Sequence, residues 1–191
     1  PVDPFDAGAP TGMDASSLPL LNTAPPPRFT VVFSRRPASG AVDSAVENAM
    51  VNLIRHAAAG AQVRVAMYTF TRYRVAAELI NAGRRGVDVR VVLDGHMRTA
   101  AGTEAPRLIA GLGRDRVTLC GAPGTSCVGT GIQHDKFITV SALDDGSRNV
   151  VAVASHNFTN GQLRKHNNLV IVRNDVGMHQ AYVRTFDLMR V

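Results

Sequence analysis

From Arg28 onward the chain alternates short, nearly continuous apolar runs with stretches in which apolar residues return every three or four positions. FTVVFS, VRVAMYTF, GVDVRVVLD, RVTLC, KFITVS, NVVAVAS and NLVIV are strand-length runs rich in β-branched residues. Between them, positions 43–59 carry Val46, Met50, Leu53, Ile54 and Ala57 at helical spacing. Positions 72–82, ending at a Gly83 stop, then 103–112 and the segment from Val176 predict further helices. Strands that lack polar alternation are covered on both sides, and the interleaved helices are what covers them. The pattern predicts an α/β domain: a mixed, largely buried β-sheet flanked by helices on both faces. Residues 1–27 stand apart, with seven of the ten prolines and no hydrophobic period. They predict an extended N-terminal arm, leaving 28–191 as a single domain.

The balance of 45% hydrophobic to 19% charged residues suits a packed core, and no run of eighteen apolar residues offers a transmembrane segment. A net charge of +6 favours anionic partners such as nucleic acid, lipid headgroups or phosphate esters, without choosing among them. Of 21 basic residues only Lys136 and Lys165 are lysines, which makes their neighbourhoods worth reading closely. Cys120 and Cys127 bracket CGAPGTSC, whose Gly, Pro and Ser let a chain fold back on itself. A local disulfide is expected, with two unrelated thiols or a metal pair as the other readings; the metal needs further ligands. A local bridge implies an oxidising compartment and a secreted protein. The opening PVDPFDAGAP shows no charged-then-apolar leader, so a signal peptide is read as absent or already removed.

In IQHDKFITV, His134 and Lys136 stand two apart at the start of an apolar strand and so share a side. VVAVASHNFT is a second apolar strand ending in Ser155, His156 and Asn157. If the two strands are neighbours, an imidazole, an ammonium, a hydroxyl and an amide surround one small space, which suits a phosphate. The lysine neutralises the non-bridging oxygens, Ser155 and Asn157 donate to them, and a histidine attacks phosphorus or protonates the leaving oxygen. That chemistry needs neither metal nor cofactor. His156 and His166, the latter beside Lys165, are read as site rim, whereas His56, His96 and His179 are read as helix or loop residues.

These residues resemble the phospholipase D superfamily, whose signature is His-x-Lys, an Asp after four further residues, and a Gly/Ser-x-Asn element after the next strand. His134 and Lys136 match the first part, and Ala154-Ser155-His156-Asn157 resembles the second. AMYTFT and AAELINAGRRGVDVRVVLDG look like the strand, helix and strand that precede the motif, so the likeness spans residues 29–190. Two positions depart from it: Ser141 stands where the Asp is expected, with Asp144 and Asp145 displaced onward, and Asn167 replaces an acidic residue that often follows the Asn element. On this resemblance Asp94 supports the fold or the cleft rim, Asn167 lies at the site rim, and Tyr68 is cleft wall.

The resemblance implies a metal-independent phosphodiesterase working through a covalent phosphohistidine, with His134 and Lys136 catalytic and Ser155 and Asn157 holding the substrate phosphate. Such enzymes act through two opposed motifs, and this chain has one. The partner is then a second motif-bearing half, either the C-terminal half of the same precursor, which the Cys-bracketed loop favours slightly, or an identical subunit. A phospholipid is favoured as the phosphodiester substrate, with peripheral membrane contact. The alternatives are a nonspecific endonuclease of the same superfamily and a degenerate domain that binds phosphate ligands without turnover.

Overall fold

The computed structural model describes residues 26–35, 41–121, 127–128 and 131–190. Residues 1–25, most of the expected arm, lie outside the described residues. The strands are β1 (Phe29–Phe33), β2 (Gln62–Met67), β3 (Asp88–Leu93), β4 (Val117–Leu119), β5 (Lys136–Ala142), β6 (Arg148–Ala154) and β7 (Asn168–Val172). They form one sheet in the order β1-β7-β6-β5-β2-β3-β4. β2, β3 and β4 pair in parallel; β5, β6, β7 and β1 continue antiparallel from the other side of β2.

The expected burial on both faces is observed. Val63, Val65 and Met67 of β2 and Val89, Val91 and Leu93 of β3 enter the larger core. There they meet α1 (Ala45–Arg55), α2 (Tyr73–Arg84) and α3 (Ala105–Leu112) through residues such as Met50, Ile54, Leu79 and Leu108. The alternate residues Ala66 and Val92, with Phe137 of β5, face Phe186 of α4 (Val176–Leu188) and the following Met189. At the β1 edge, Phe29, Val31 and Phe33 remain exposed. Among the described residues no helix is long and apolar enough to cross a membrane.

Gly83 does not stop α2, which continues to Arg84. A Cβ on Gly83 would lie 3.1 Å from Leu112 Cδ2, so this glycine permits the close approach of α2 and α3. The chain reverses instead at Gly86, whose φ of +88° belongs to the left-handed region.

One ion pair braces the helices behind the sheet. The fully buried side chain of Glu47 on α1 accepts from Arg72 Nε at 2.7 Å and Nη2 at 2.8 Å, and Arg74 lies 3.5 Å away. Arg72 also donates to Asn160 Oδ1, tying the entry of α2 to the segment after β6. Removing one partner strands the other in low dielectric. Glu47→Ala is therefore expected to cost about 3 kcal/mol, which a thermal melt would register as a fall of about 6–12 °C.

Candidate active site

Four segments converge at one end of the sheet, where β2 changes from a parallel neighbour, β3, to an antiparallel one, β5. They are the exits of β2 (Tyr68, Thr69), β3 (Asp94, His96) and β6 (Ser155, Asn157), and the entry to β5 (Gln133, His134, Lys136). Strand ends at such a switch in pairing leave a crevice that no crossover connection fills.

His134 and Lys136 come together as the spacing requires. β5 begins at Lys136, so His134 lies just ahead of it and is exposed, while the lysine stem is buried. Lys136 Nζ donates to the His134 carbonyl at 2.7 Å and stands 3.3 Å from His134 Nδ1. Burial lowers the Lys136 pKa, against the opposing charge of Asp135. Tyr68 is more than cleft wall. Its ring centroid lies 4.7 Å from that of His134 and 4.6 Å from that of His96, and Lys136 Nζ sits 5.5 Å from it as a cation over the ring.

Asp94 fastens this arrangement. Oδ1 accepts from the His96 backbone N–H at 3.0 Å and lies 2.6 Å from His96 Nδ1, and Oδ2 accepts from the Gln133 N–H at 2.7 Å. Burial alone would raise the carboxyl pKa; the hydrogen bonds from His96 and Gln133 outweigh it and hold the group below the usual range. Gly95 lets the turn close, since a Cβ there would overlap the Cys120 carbonyl. Cys120 and Cys127 are bridged, with Cα atoms 5.2 Å apart, although residues 122–126 between them lie outside the described residues.

Asn157 joins the same space, its Oδ1 accepting from the Thr69 N–H at 3.2 Å. Ser155 is exposed, but its hydroxyl turns to β7, lying 3.2 Å from Asn167 Oδ1 and accepting from the Asn168 N–H at 3.1 Å. Asn167 is buried behind it and donates to the carbonyls of Gln162 and Lys165. His166 is exposed and, with Phe33 and Ser155, lines a shallow cavity of about 240 Å³. His156 is not at the rim: it is 1% exposed, because strand alternation turns it away from the side shared by its neighbours. Burial lowers its pKa, and the charge of Glu47 opposes that shift.

Ser141 lies at the far end of β5 from Lys136, about 17 Å by strand rise. Its hydroxyl accepts from the Gln62 N–H at 2.8 Å, so it closes the start of β2 and takes no part in the crevice. Asp144 pairs with His56 at 2.9 Å, also at that far end. His96, read from the sequence as a loop residue, is instead central. The signal was present in Asp94-Gly95-His96 directly after an apolar strand, where a glycine between a carboxylate and an imidazole lets the two meet. Among the described residues no group of three His, Cys, Asp or Glu side chains gathers as metal ligands would.

A mixed sheet with a His-x-Lys pair at the mouth of an inner strand defines an α/β domain of phospholipase D type. The chain belongs to that superfamily: the family described as "Cardiolipin synthase, PLD-like domain" matches residues 50–190. No curated protein matches the chain in sequence. Among solved structures, the phospholipase D family member Nuc from Salmonella typhimurium superposes with a TM-score of 0.62 at 21% identity, covering 84% of this chain and 93% of that one. NucT from Helicobacter pylori gives 0.59 at 17%, covering 84% and 95%. Phosphatidylserine synthase from Haemophilus influenzae Rd KW20 gives 0.55 at 16%, covering 82% of this chain and 35% of that one. These likenesses establish the fold, that of a phosphodiesterase-like superfamily.

The buried His156 carries a consequence for stability. Below the ordinary histidine pKa of about 6.5 the unfolded chain takes up a proton that the folded residue resists, so stability falls as pH drops through that value and is level above it. His179, also lowered by burial, acts in the same direction, whereas the lowered carboxylates Asp43, Asp88, Asp94 and Asp175 act only near and below their ordinary value of about 3.9. Between pH 7.5 and 5.5 the melting temperature should therefore fall, and His156→Gln should reduce that fall.

Proposed function

We propose that this domain is a metal-independent phosphodiesterase of phospholipase D type acting on a phospholipid. The observation that carries the reading is the Lys136 ammonium beside the exposed His134 imidazole, both against the Tyr68 ring. Lys136 is anchored by its bond to the His134 carbonyl, and attack uses the neutral tautomer of His134 with its hydrogen on Nδ1 and its lone pair on Nε2. Nε2 attacks phosphorus as the ester P–O bond breaks, giving a phosphohistidine and an alkoxide that takes up a proton from a second imidazole. Water, or an alcohol in a transfer reaction, then attacks phosphorus and releases His134. Lys136 and the Asn157 amide offset the charge that gathers on the non-bridging oxygens.

A lipid substrate is favoured by the surface beside the segment that carries His134. A cavity of about 490 Å³ lies between the disulfide and α4, lined by Cys127, Val128, Ile132, Gln133, Asp135 and Leu188. Val128, Ile132 and Leu188 are exposed apolar residues there, a surface that suits acyl chains better than a sugar-phosphate backbone. The Cys120–Cys127 bridge supports a secreted protein. The second imidazole comes from an opposed motif-bearing half, either the C-terminal half of the same precursor or an identical subunit.

Lys136→Ala is expected to lower turnover of choline-headed vesicles at least about 100-fold, the scale of losing one preorganised donor. His134→Ala should lower it further and Asn157→Ala less, with chelator leaving the ratios unchanged. Cleavage of plasmid DNA but not of vesicles would replace the lipid reading with the endonuclease one. Activity on neither would leave a phosphate-binding domain without turnover.

A further inference from the structure

We propose that a single-atom anion, chloride, binds between the sheet and α4, held by Arg64, Thr139, His179 and Arg190 toward the start of β2 and away from the crevice. The inference is independent of the reaction the domain performs.

The layer beneath α4 is of two kinds. Toward the crevice, Ala66, Val92 and Phe137 meet Phe186 in an apolar cluster. Two residues further from the crevice, on the same strands and the same face, stand Arg64, Arg90 and Thr139. Arg64 is in register with Arg90 on one side and with Thr139 on the other, so the three form a row across the sheet. His179 lies over this row. It shares with Tyr182 and Phe186 the stripe of α4 that faces the sheet, and it is buried.

The hydrogen bonds in this layer leave donors over. Arg64 Nη1 donates to the Val63 and Asp88 carbonyls at 3.2 and 2.7 Å, and Nη2 donates to Asp88 Oδ2 at 2.7 Å. Asp88 Oδ1 is taken by Arg116 at 3.1 Å and Arg90 at 3.4 Å. Arg190 Nη2 donates to the Asp115 carbonyl at 3.1 Å. Arg64 Nε, Arg190 Nε, Thr139 Oγ1 and His179 Nε2 are buried and have no hydrogen-bond partner among the described residues. The two arginine nitrogens can only donate, and the hydroxyl and the imidazole are able to. What this layer lacks is an acceptor.

It also lacks negative charge. Arg64, Arg90 and Arg116 all pair with the one Asp88 carboxylate. Burial and the charges of Arg90 and Arg64 lower the Arg190 pKa, against Asp187 and Asp88. Burial and the charge of Arg64 lower that of His179 as well. A water molecule would accept from two of the donors and leave the charge as it is, whereas an anion accepts from all of them and balances it. Arg64 is 6% exposed, Thr139 1% and His179 8%, which suits a single atom better than a tetrahedral oxyanion. Bound there, the anion ties β2 and β5 to α4 and to the residue that follows Met189.

The test is a thermal melt of the full chain at constant ionic strength, with sodium chloride or bromide replacing sodium gluconate, whose anion is too large for the layer. The melting temperature should rise saturably, by about 5–11 °C at about a hundred times the dissociation constant. Arg190→Met keeps the stem, removes the donors and should abolish the rise. Thr139→Val removes one hydroxyl at nearly constant volume and should move the midpoint to about 10-fold higher chloride, a loss of one hydrogen bond. Lys136→Ala, which removes the crevice cation, should leave the rise unchanged. Crystals grown in bromide should show an anomalous peak between Arg64 and α4. No saturable rise, a rise that survives Arg190→Met with an unchanged midpoint, or one lost in Lys136→Ala would overturn the proposal. Stabilisation by phosphate and not by chloride or bromide would overturn the single-atom assignment. If Arg190→Met does not fold, Thr139→Val and the bromide peak decide: an unshifted midpoint with no peak at Arg64 would overturn the site.

Discussion

A single carboxylate, that of Asp94, holds the crevice together. It sits at the exit of β3 and receives donors from two directions: the turn immediately after it, and a segment some forty residues further along the chain. Burying an ionised carboxylate is costly unless its lone pairs are met, and here the donors outweigh that cost. The position of His96 and the approach of Gln133 and His134 to β5 both follow from that requirement. Remove the charge and the turn after β3 loses its cap and the Gln133 N–H its acceptor.

The sheet supplies the frame on which that carboxylate acts. Because β2 is paired in parallel on one side and antiparallel on the other, strand exits and a strand entry meet at one end. Side chains from β2, β3, β5 and β6 thus converge although they are scattered between Tyr68 and Asn157 in sequence. The Glu47–Arg72 pair holds the helical layer against the same end, through Asn160 just beyond Asn157. The rigidity of the crevice is paid for by buried polar contacts on two sides of the sheet.

Most of the framework was legible in the sequence. Near-continuous apolar runs mark strands covered on both faces, and the seven runs became the seven strands. His134 and Lys136 were legible because two-residue spacing is a local property of extended chain. Tyr68 was read only as cleft wall and His96 only as a loop residue, since their meeting with His134 depends on which strands are neighbours. His156 shows the opposite error: proximity in sequence to Ser155 and Asn157 placed it at the rim, whereas alternation sends it inward. Gly83 likewise reads as a helix stop until α3 is seen against it. The serine at position 141 marked a departure from the superfamily pattern, and only the register of β5 shows how far from the crevice it falls.

The pairing of β1 with β7 has a consequence for the chain as it is made. Phe29 lies opposite Val172, so β1 finds its partner in the sheet about 140 residues later. At about 5–20 residues per second, that interval is about 7–28 s. Throughout it, the alternate residues Phe29, Val31 and Phe33 form an unpaired apolar strand, the kind of segment that chaperones bind and that neighbouring nascent chains capture. The order in which strands are translated thus bears on yield separately from the stability of the finished domain.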